Sequence, residues 1–273
     1  MFTLNCKGKL ISFKEPVVMG ILNVTPDSFY EGSRNTNIDQ VIDKAGKMVQ
    51  EGVAILDIGG QSTRPGSVRL SAEDEISRVL PVIELITKKF GDIPVSIDTY
   101  SSIVARRAIE AGASIINDIS AGEMDERMMD VVAELRVPYI CMHMKGSPEN
   151  MQKDPVYDNI ALEVIDFFVK KIDTCKRAGI HDVIIDPGFG FGKTIDHNFE
   201  LLKKLSVLKI LDKPILAGLS RKSTIYKTLG ITVDEALNGT TALNIIALQN
   251  GANILRVHDV KEAVETIRLL VRI

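Results

Sequence analysis

PVSIDTYSSIVARRAIEAGASIIN, residues 94–117, holds the pattern that decides the fold. Pro94 opens an apolar run that stops at Asp98, and a helical stretch from Ser101 to Ala111 follows. Gly112 ends that stretch, and a second apolar run stops at Asn117. Proline is tolerated at the first residue of a strand, where no ladder hydrogen bond is lost. Glycine is favoured just past a helix because it takes a positive φ without a Cβ clash. Both runs are nearly continuously apolar, the pattern of parallel strands buried on two faces.

The same punctuation recurs along the chain. Pro16, Pro94, Pro138 and Pro214 alternate strictly with Gly52, Gly112, Gly179 and Gly251 as entries to apolar runs. The runs end in Asn23, Asp57, Asp98, Asn117, His143, Asp186, Ser220 and Arg256. Between them lie amphipathic stretches from Ile38 to Glu51, Ser71 to Phe90, Ser101 to Ala111 and Glu126 to Leu135. Further ones run from Asn159 to Ala178, Phe199 to Leu211, Thr240 to Asn250 and Lys261 to Val271. Eight strands alternating with eight helices predict an α/β chain folded as a (β/α)8 TIM barrel, with a doubly wound open sheet as the alternative. Residues 1–14 read as a short N-terminal β-hairpin cap: Phe2–Leu4, a turn at Lys7–Gly8, then Leu10–Phe13. Residues 15–273 then form the eight βα units of a single domain.

Composition agrees with that reading. The 273 residues are 45% hydrophobic and 25% charged, as in an ordinary globular protein, with a net charge of −3. Without a basic excess to coat a phosphate backbone, no nucleic-acid partner is expected. No apolar stretch approaches the ~20 residues of a membrane span, and lysines interrupt the N-terminus where a secretory signal would lie. Cys6, Cys141 and Cys175 are too few and too far apart for a disulfide framework, so reduced thiols and a cytoplasmic location are expected.

In a barrel of this kind the chemistry sits at the C-terminal ends of the strands. The rim would hold carboxylates, carboxamides, Lys222, Arg256, His143 and His258, too rich a set for turn chemistry alone. Asp57 reads equally as structural or functional, and His143 as packed or functional. Gly59-Gly60-Gln61-Ser62-Thr63-Arg64-Pro65-Gly66 suits an anion, its arginine offering paired donors. Asp186-Pro187-Gly188-Phe189-Gly190-Phe191-Gly192-Lys193-Thr194 resembles a phosphate loop, but Pro187 stands where GxxxxGK[ST] needs glycine. A dinucleotide fingerprint fails as well, at Lys193. What remains is a carboxylate followed by glycines and two aromatic rings, suited to a flat ligand. Lys222 reads as a charge partner rather than a Schiff-base amine, and Arg256 and His258, two apart on an extended strand, read as an anion clamp. Zinc lacks its histidine spacing, whereas Mg²⁺ shared with ligand phosphates stays open, with Asn23 as the candidate ligand. These parts describe an enzyme for a phosphorylated, planar, nitrogen-rich substrate.

At these same residues the chain resembles the dihydropteroate synthase family of pterin-binding enzymes. The matching stretches are Met19 to Phe29, Asp57 to Gly60 with Ser62 to Gly66, Ser96 to Thr99, and Ile116 to Asp118. Asp186 to Gly188 with Gly190-Phe191, Ser220 to Ser223 and Arg256 to Asp259 follow in family order. The resemblance implies a TIM barrel that joins 6-hydroxymethyl-7,8-dihydropterin diphosphate to p-aminobenzoate, releasing pyrophosphate. It implies pterin binding by Asp98, Asn117, Asp186 and Lys222, and diphosphate binding by Asn23, Thr63, Arg64, Arg256 and His258. Thr63, Phe191, Lys222 and Ser223, with Arg64, would frame p-aminobenzoate, and Phe29 and Pro65 would close over it. Lys222, Arg256, Asp186 and Asp98 would carry the catalysis, with Mg²⁺ at Asn23 and a homodimer formed through the helical exterior. Two departures are Tyr30-Glu31-Gly32-Ser33, where many members have Ser-Asp-Gly-Gly, and Gln61, where glutamate is common. The alternatives are a methyltetrahydrofolate-dependent corrinoid methyltransferase, which has no diphosphate to bind, and a catalytically silent pterin-binding homologue.

Overall fold

In the computed structural model, which describes residues 1–24, 34–61, 69–148 and 150–273, the eight apolar runs lie side by side as parallel strands. They are β3 (Val17–Asn23), β4 (Ile55–Gly59), β5 (Val95–Asp98), β6 (Ile115–Asp118), β7 (Tyr139–Met142), β8 (Val183–Asp186), β9 (Leu216–Ala217) and β10 (Ile254–Val257). Their spatial order is β8-β7-β6-β5-β4-β3-β10-β9, and a parallel bridge between Ile185 and Ile215 joins the two ends into a barrel. The four glycines that precede strands take φ of +94°, +120°, +84° and +102°, at Gly52, Gly112, Gly179 and Gly251. That conformation would strain any side chain, which is why the alternation is readable at all.

The hairpin of β1 (Phe2–Cys6) and β2 (Lys9–Phe13) runs two residues further than predicted, with Cys6 opposite Lys9 across the Lys7–Gly8 turn. It closes the bottom of the barrel. Leu4 and Cys6 join Met19, Ile55, Ile115, Ile140, Ile184, Leu216 and Ile254, one residue from each of seven strands, in a dry cluster. Asn5 also donates its backbone N–H to Asp182 Oδ2 at 2.7 Å, tying the hairpin to the chain entering β8.

The outer helices are α1 (Arg34–Gln50), α2 (Ala72–Lys89), α3 (Ser102–Glu110), α4 (Met128–Leu135) and α5 (Ile160–Ala178). They continue with α6 (Ile195–Lys203), α7 (Ser223–Leu229), α8 (Leu237–Gln249) and α9 (Val260–Leu270). Ser71, Ser101 and Asn159 cap α2, α3 and α5 through their side-chain oxygens, as serine and asparagine do at this position.

Three expectations need correction, all between β8 and β10. The helix expected at Phe199 to Leu211 begins at Ile195, because Thr194 and His197 form a reciprocal cap, and its second half is a 3-10 turn over Leu205–Leu211. Histidine in place of the usual Glu or Gln hid that start. The run from Pro214 to Ser220 pairs as a strand only over Leu216–Ala217. An additional short helix, α7, follows it directly, so Lys222 occupies a helix N-cap rather than a free loop.

One buried acid lies outside the apolar pattern. Glu75, in the first turn of α2, is 3% exposed, and its Oε1 has no partner among the described residues. It packs beneath Gly60, where an added Cβ would stand 3.1 Å from Glu75 Cγ and 2.7 Å from Val79. Burial pushes its carboxyl up to about 7, against the opposing pull of Thr99, Arg78 and Arg69. Between pH 4.5 and 7 the folded chain therefore holds a proton that the unfolded chain has released, so stability falls as pH rises through that window. Glu75→Gln removes this term. Urea unfolding of variant and parent should show the variant gaining about 3 kcal/mol relative to the parent between pH 4.5 and pH 8.

Candidate functional site

Parallel pairing brings the polar strand ends to one rim. Arg256, on β10, reaches across the mouth of the barrel to the ends of β4 and β5. Its Nε donates to Asp57 Oδ2 at 2.7 Å, and its Nη2 donates to Asp98 Oδ2 at 2.5 Å. Asn117, at the neighbouring strand end, donates through Nδ2 to Asp57 Oδ2 at 3.2 Å. Asp57 is fully buried, so the question its position left open resolves to a charge partner of Arg256. Asp57 Oδ1 and Asp98 Oδ1 are buried and have no partner among the described residues. Burial pushes the Asp98 carboxyl up to about 7, with Arg256 opposing and Asp57 adding to the rise. The paired carboxylates hold the Arg256 guanidinium in its charged form against the cost of burial.

On the opposite side Asp186 ends β8. Its Oδ1 accepts the Gly188 N–H at 2.8 Å, and burial raises its pKa while Lys222 opposes the rise. Gly188 is obligatory here: its φ is +67°, and a Cβ would fall 1.9 Å from the His143 carbonyl oxygen. Lys222 donates to the Phe189 carbonyl and stands 4.8 Å from the centre of the Phe191 ring. Burial lowers its ammonium to about 8, with Asp186 pulling the other way. Ser223 begins α7 beside it.

His143 is structural in its contacts. Its ring is buried edge-on to Phe167 at 4.9 Å, its Nδ1 receives Lys193 Nζ at 2.9 Å, and burial lowers its pKa to about 2. His258 and Arg256, expected on one side of a strand, have separate partners. His258 lies just past β10, with its Nδ1 2.9 Å from Ser220 Oγ, and it lines a cavity of about 520 Å³ with Lys44, Lys47 and Lys261. Burial lowers its pKa to about 4, aided by Arg256. Asn23 is exposed at the end of β3, and its Oδ1 flanks Gly59 opposite Asp98. Thr63, Arg64, Phe29, Pro65 and the Tyr30–Ser33 departure lie outside the described residues. Gln61 lies within them: its amide donates to the Tyr100 hydroxyl, and its Oε1 accepts from the Leu70 N–H at 3.4 Å.

Two charged residues passed over as site elements hold the rim together. Arg221 makes a bidentate pair with Asp259 at 2.9 Å for each bond, and also donates to the carbonyls of Val233 and Asp234. Lys193 is buried within the glycine loop after β8. A lone charge in an otherwise apolar glycine stretch was the available sign of it.

Removing Arg256 would leave two buried carboxylates facing each other. Breaking such a pair costs about 3–5 kcal/mol. Arg256→Met should lose stability of this order in urea unfolding, with the deficit greatest above pH 7, where Asp98 is ionised.

The chain is similar to known proteins over nearly its whole length. Residues 19–258 match the family described as pterin binding enzyme. A dihydropteroate synthase of Escherichia coli (strain K12) is 42% identical over 269 residues, covering 98% of this chain and 95% of that protein. The Xanthomonas albilineans dihydropteroate synthase with 4-aminobenzoic acid superposes with a TM-score of 0.92 at 41% identity, covering 99% of this chain and 97% of that one. The same enzyme in complex with 7,8-dihydropteroate superposes with a TM-score of 0.89 at 38% identity, covering 99% and 98%.

Proposed function

The chain belongs to the pterin-binding enzyme family and, within it, to the dihydropteroate synthases, and from that premise we propose how its rim performs the reaction. The chain condenses 6-hydroxymethyl-7,8-dihydropterin diphosphate with p-aminobenzoate, forming 7,8-dihydropteroate and pyrophosphate in folate biosynthesis. None of the relatives named above is a methyltransferase or a silent homologue.

The observation that carries the reading is Asp98 Oδ1, buried without a donor among the described residues, on a rim that also holds Asn117, Asp186 and Lys222. An unpaired buried acceptor costs about 1–3 kcal/mol, and a ligand N–H removes that cost. Asp186 keeps Oδ1 for Gly188, which leaves Oδ2 for the N–H edge of the pyrimidinone ring. Asp98 Oδ1 and Asn117 take the remaining ring nitrogens, and Lys222 takes the carbonyl and N5 side. A wrong ring would leave these groups unpaired, which is the strongest form of rejection available to a binding site.

Arg256 spends Nε and Nη2 on Asp57 and Asp98, and its Nη1 has no partner among the described residues. Nη1 is the donor assigned to the diphosphate, together with Asn23, Thr63, Arg64 and His258. Because the same guanidinium holds Asp98, the anion clamp and the pterin site share one residue. No cluster of His, Cys, Asp or Glu able to hold a metal occurs among the described residues. A single carboxamide at Asn23 fits Mg²⁺ of the kind that takes its other oxygens from water and phosphate. When bound, that ion supplies charge neutralisation for the leaving diphosphate. The bond from the exocyclic methylene to the diphosphate breaks with its electron pair leaving on the diphosphate, the ring stabilises the methylene cation, and the neutral arylamine attacks it and releases one proton to solvent. Thr63, Arg64, Phe191, Lys222 and Ser223 frame the incoming p-aminobenzoate.

The protein acts in the cytoplasm as a homodimer on this reading. Cys6, Cys141 and Cys175 are free and buried, in keeping with a reducing compartment, and no helix among the described residues is long and apolar enough to cross a membrane. Leu229 at the end of α7, Val233 in the connection that follows, and Ile245 and Ile246 on α8 are exposed and offer the apolar surface a partner copy would cover.

The direct test is pyrophosphate release by purified protein with Mg²⁺, the pterin diphosphate and p-aminobenzoate; no release above background refutes the reading. Asp186→Ala should weaken pterin binding about 100-fold or more by calorimetry, the cost of two charged hydrogen bonds. Pterin affinity should also fall about tenfold per pH unit above pH 8, where Lys222 loses its proton. Lys222→Arg should abolish that alkaline limb.

A further inference from the structure

We propose that Lys193 is a positioning residue: its buried ammonium ties the loop after β8 to the end of β7, and so sets where Asp186 and the Phe191 ring stand. The proposal rests on the pterin-site reading above.

The loop forms neither helix nor strand, so its buried carbonyls need donors from side chains or from its own turn. Gln152 supplies the donor for Gly190 O at 2.6 Å, and Tyr157 the donor for Gly192 O at 2.7 Å. Lys222 supplies the donor for Phe189 O. Gly188 O and Phe191 O each accept from Lys193 Nζ at 3.0 Å. The third hydrogen of the ammonium points at His143 Nδ1, 2.9 Å away. Three donors meet three close acceptors, the His143 carbonyl stands as a fourth at 3.4 Å, and the residue is 3% exposed. His143 must then be neutral, with its proton on Nε2, because an ammonium group only donates.

Gly188 is where this frame meets the chemistry. Its N–H fixes Asp186 Oδ1 at 2.8 Å, its carbonyl accepts from Lys193, and the same carbonyl accepts the Phe191 N–H at 3.1 Å. Holding this one glycine therefore sets both the carboxylate rotamer and the start of the aromatic wall. The other end of the frame is equally close, since the His143 N–H donates to the Asp186 carbonyl at 2.9 Å. Asp186 is thus bracketed by Gly188 and His143, and Lys193 bonds both. A methionine would fill the volume and satisfy none of the three acceptors. The charge also acts through space: Lys222, the Gly188 N–H, Arg256 and Lys193 oppose the burial that raises the Asp186 carboxyl, and Asp186 in turn opposes the burial that lowers the Lys193 ammonium. No atom of Lys193 needs to touch substrate for any of this.

The test uses the full chain carrying Lys193→Met or His143→Leu. The readouts are affinity for a free pterin by calorimetry from pH 5 to pH 8, KM for p-aminobenzoate, kcat and thermal midpoint. Lys193→Met should weaken pterin binding tenfold or more, move the acid limb of binding to higher pH, and change the p-aminobenzoate KM less than threefold. His143→Leu keeps the charge and removes one acceptor, so it should weaken pterin binding about threefold and leave the acid limb in place. A lower thermal midpoint with unchanged pterin affinity and an unchanged acid limb in Lys193→Met overturns the proposal. If that variant does not fold, unchanged affinity in His143→Leu overturns it instead. A parent protein that binds no pterin overturns the site reading itself, whereas a parent that binds it no better than both variants overturns only the role of Lys193.

Discussion

The guanidinium of Arg256 spans the mouth of the barrel, joining the end of β10 to Asp57 on β4 and Asp98 on β5. Three side chains that are far apart in sequence become one charged unit inside a low-dielectric rim. The pair of carboxylates would repel each other without the cation, and the cation would be too costly to bury without them. Asn117 extends the unit by one more strand through Asp57. What the unit leaves over is two buried acceptors, Asp57 Oδ1 and Asp98 Oδ1, with no partner among the described residues.

Across the barrel the second half of the site is built differently. Asp186 is held by backbone, through Gly188, and the loop that carries Gly188 is held by buried side chains. One side of the site therefore depends on ion pairing, the other on glycine conformations and carbonyl satisfaction. Substitutions on the first side should be sensitive to pH and charge, and those on the second to volume and φ. The hairpin at the far end takes no part in this. It seals the bottom of the core with Leu4 and Cys6, which frees the upper layers to be polar.

Much of this was readable from residues alone. Alternating Pro and Gly entries located all eight strands, because each residue has a steric reason to stand where it does. The identities of the rim residues followed from the strand ends, and the family motifs fell on the same positions. Reading failed where the local signal was atypical. Thr194 and His197 start α6 with a histidine in a place usually held by a carboxyl or carboxamide, and β9 has only two paired residues before α7 begins. Lys193 carries no motif signal beyond a nucleotide pattern that fails at Pro187.

By itself the sequence determined the barrel, the order of its eight strands and the polar residues at their ends, because apolar periodicity and the backbone preferences of Pro and Gly act locally. Only the tertiary structure decided who pairs with whom. Asp57 became a partner of Arg256, 199 positions away in sequence, and His258 turned to Ser220 rather than joining Arg256. Lys193 found three acceptors from two loops. Each of these outcomes depends on distances across a closed barrel, and no spacing along the chain encodes them.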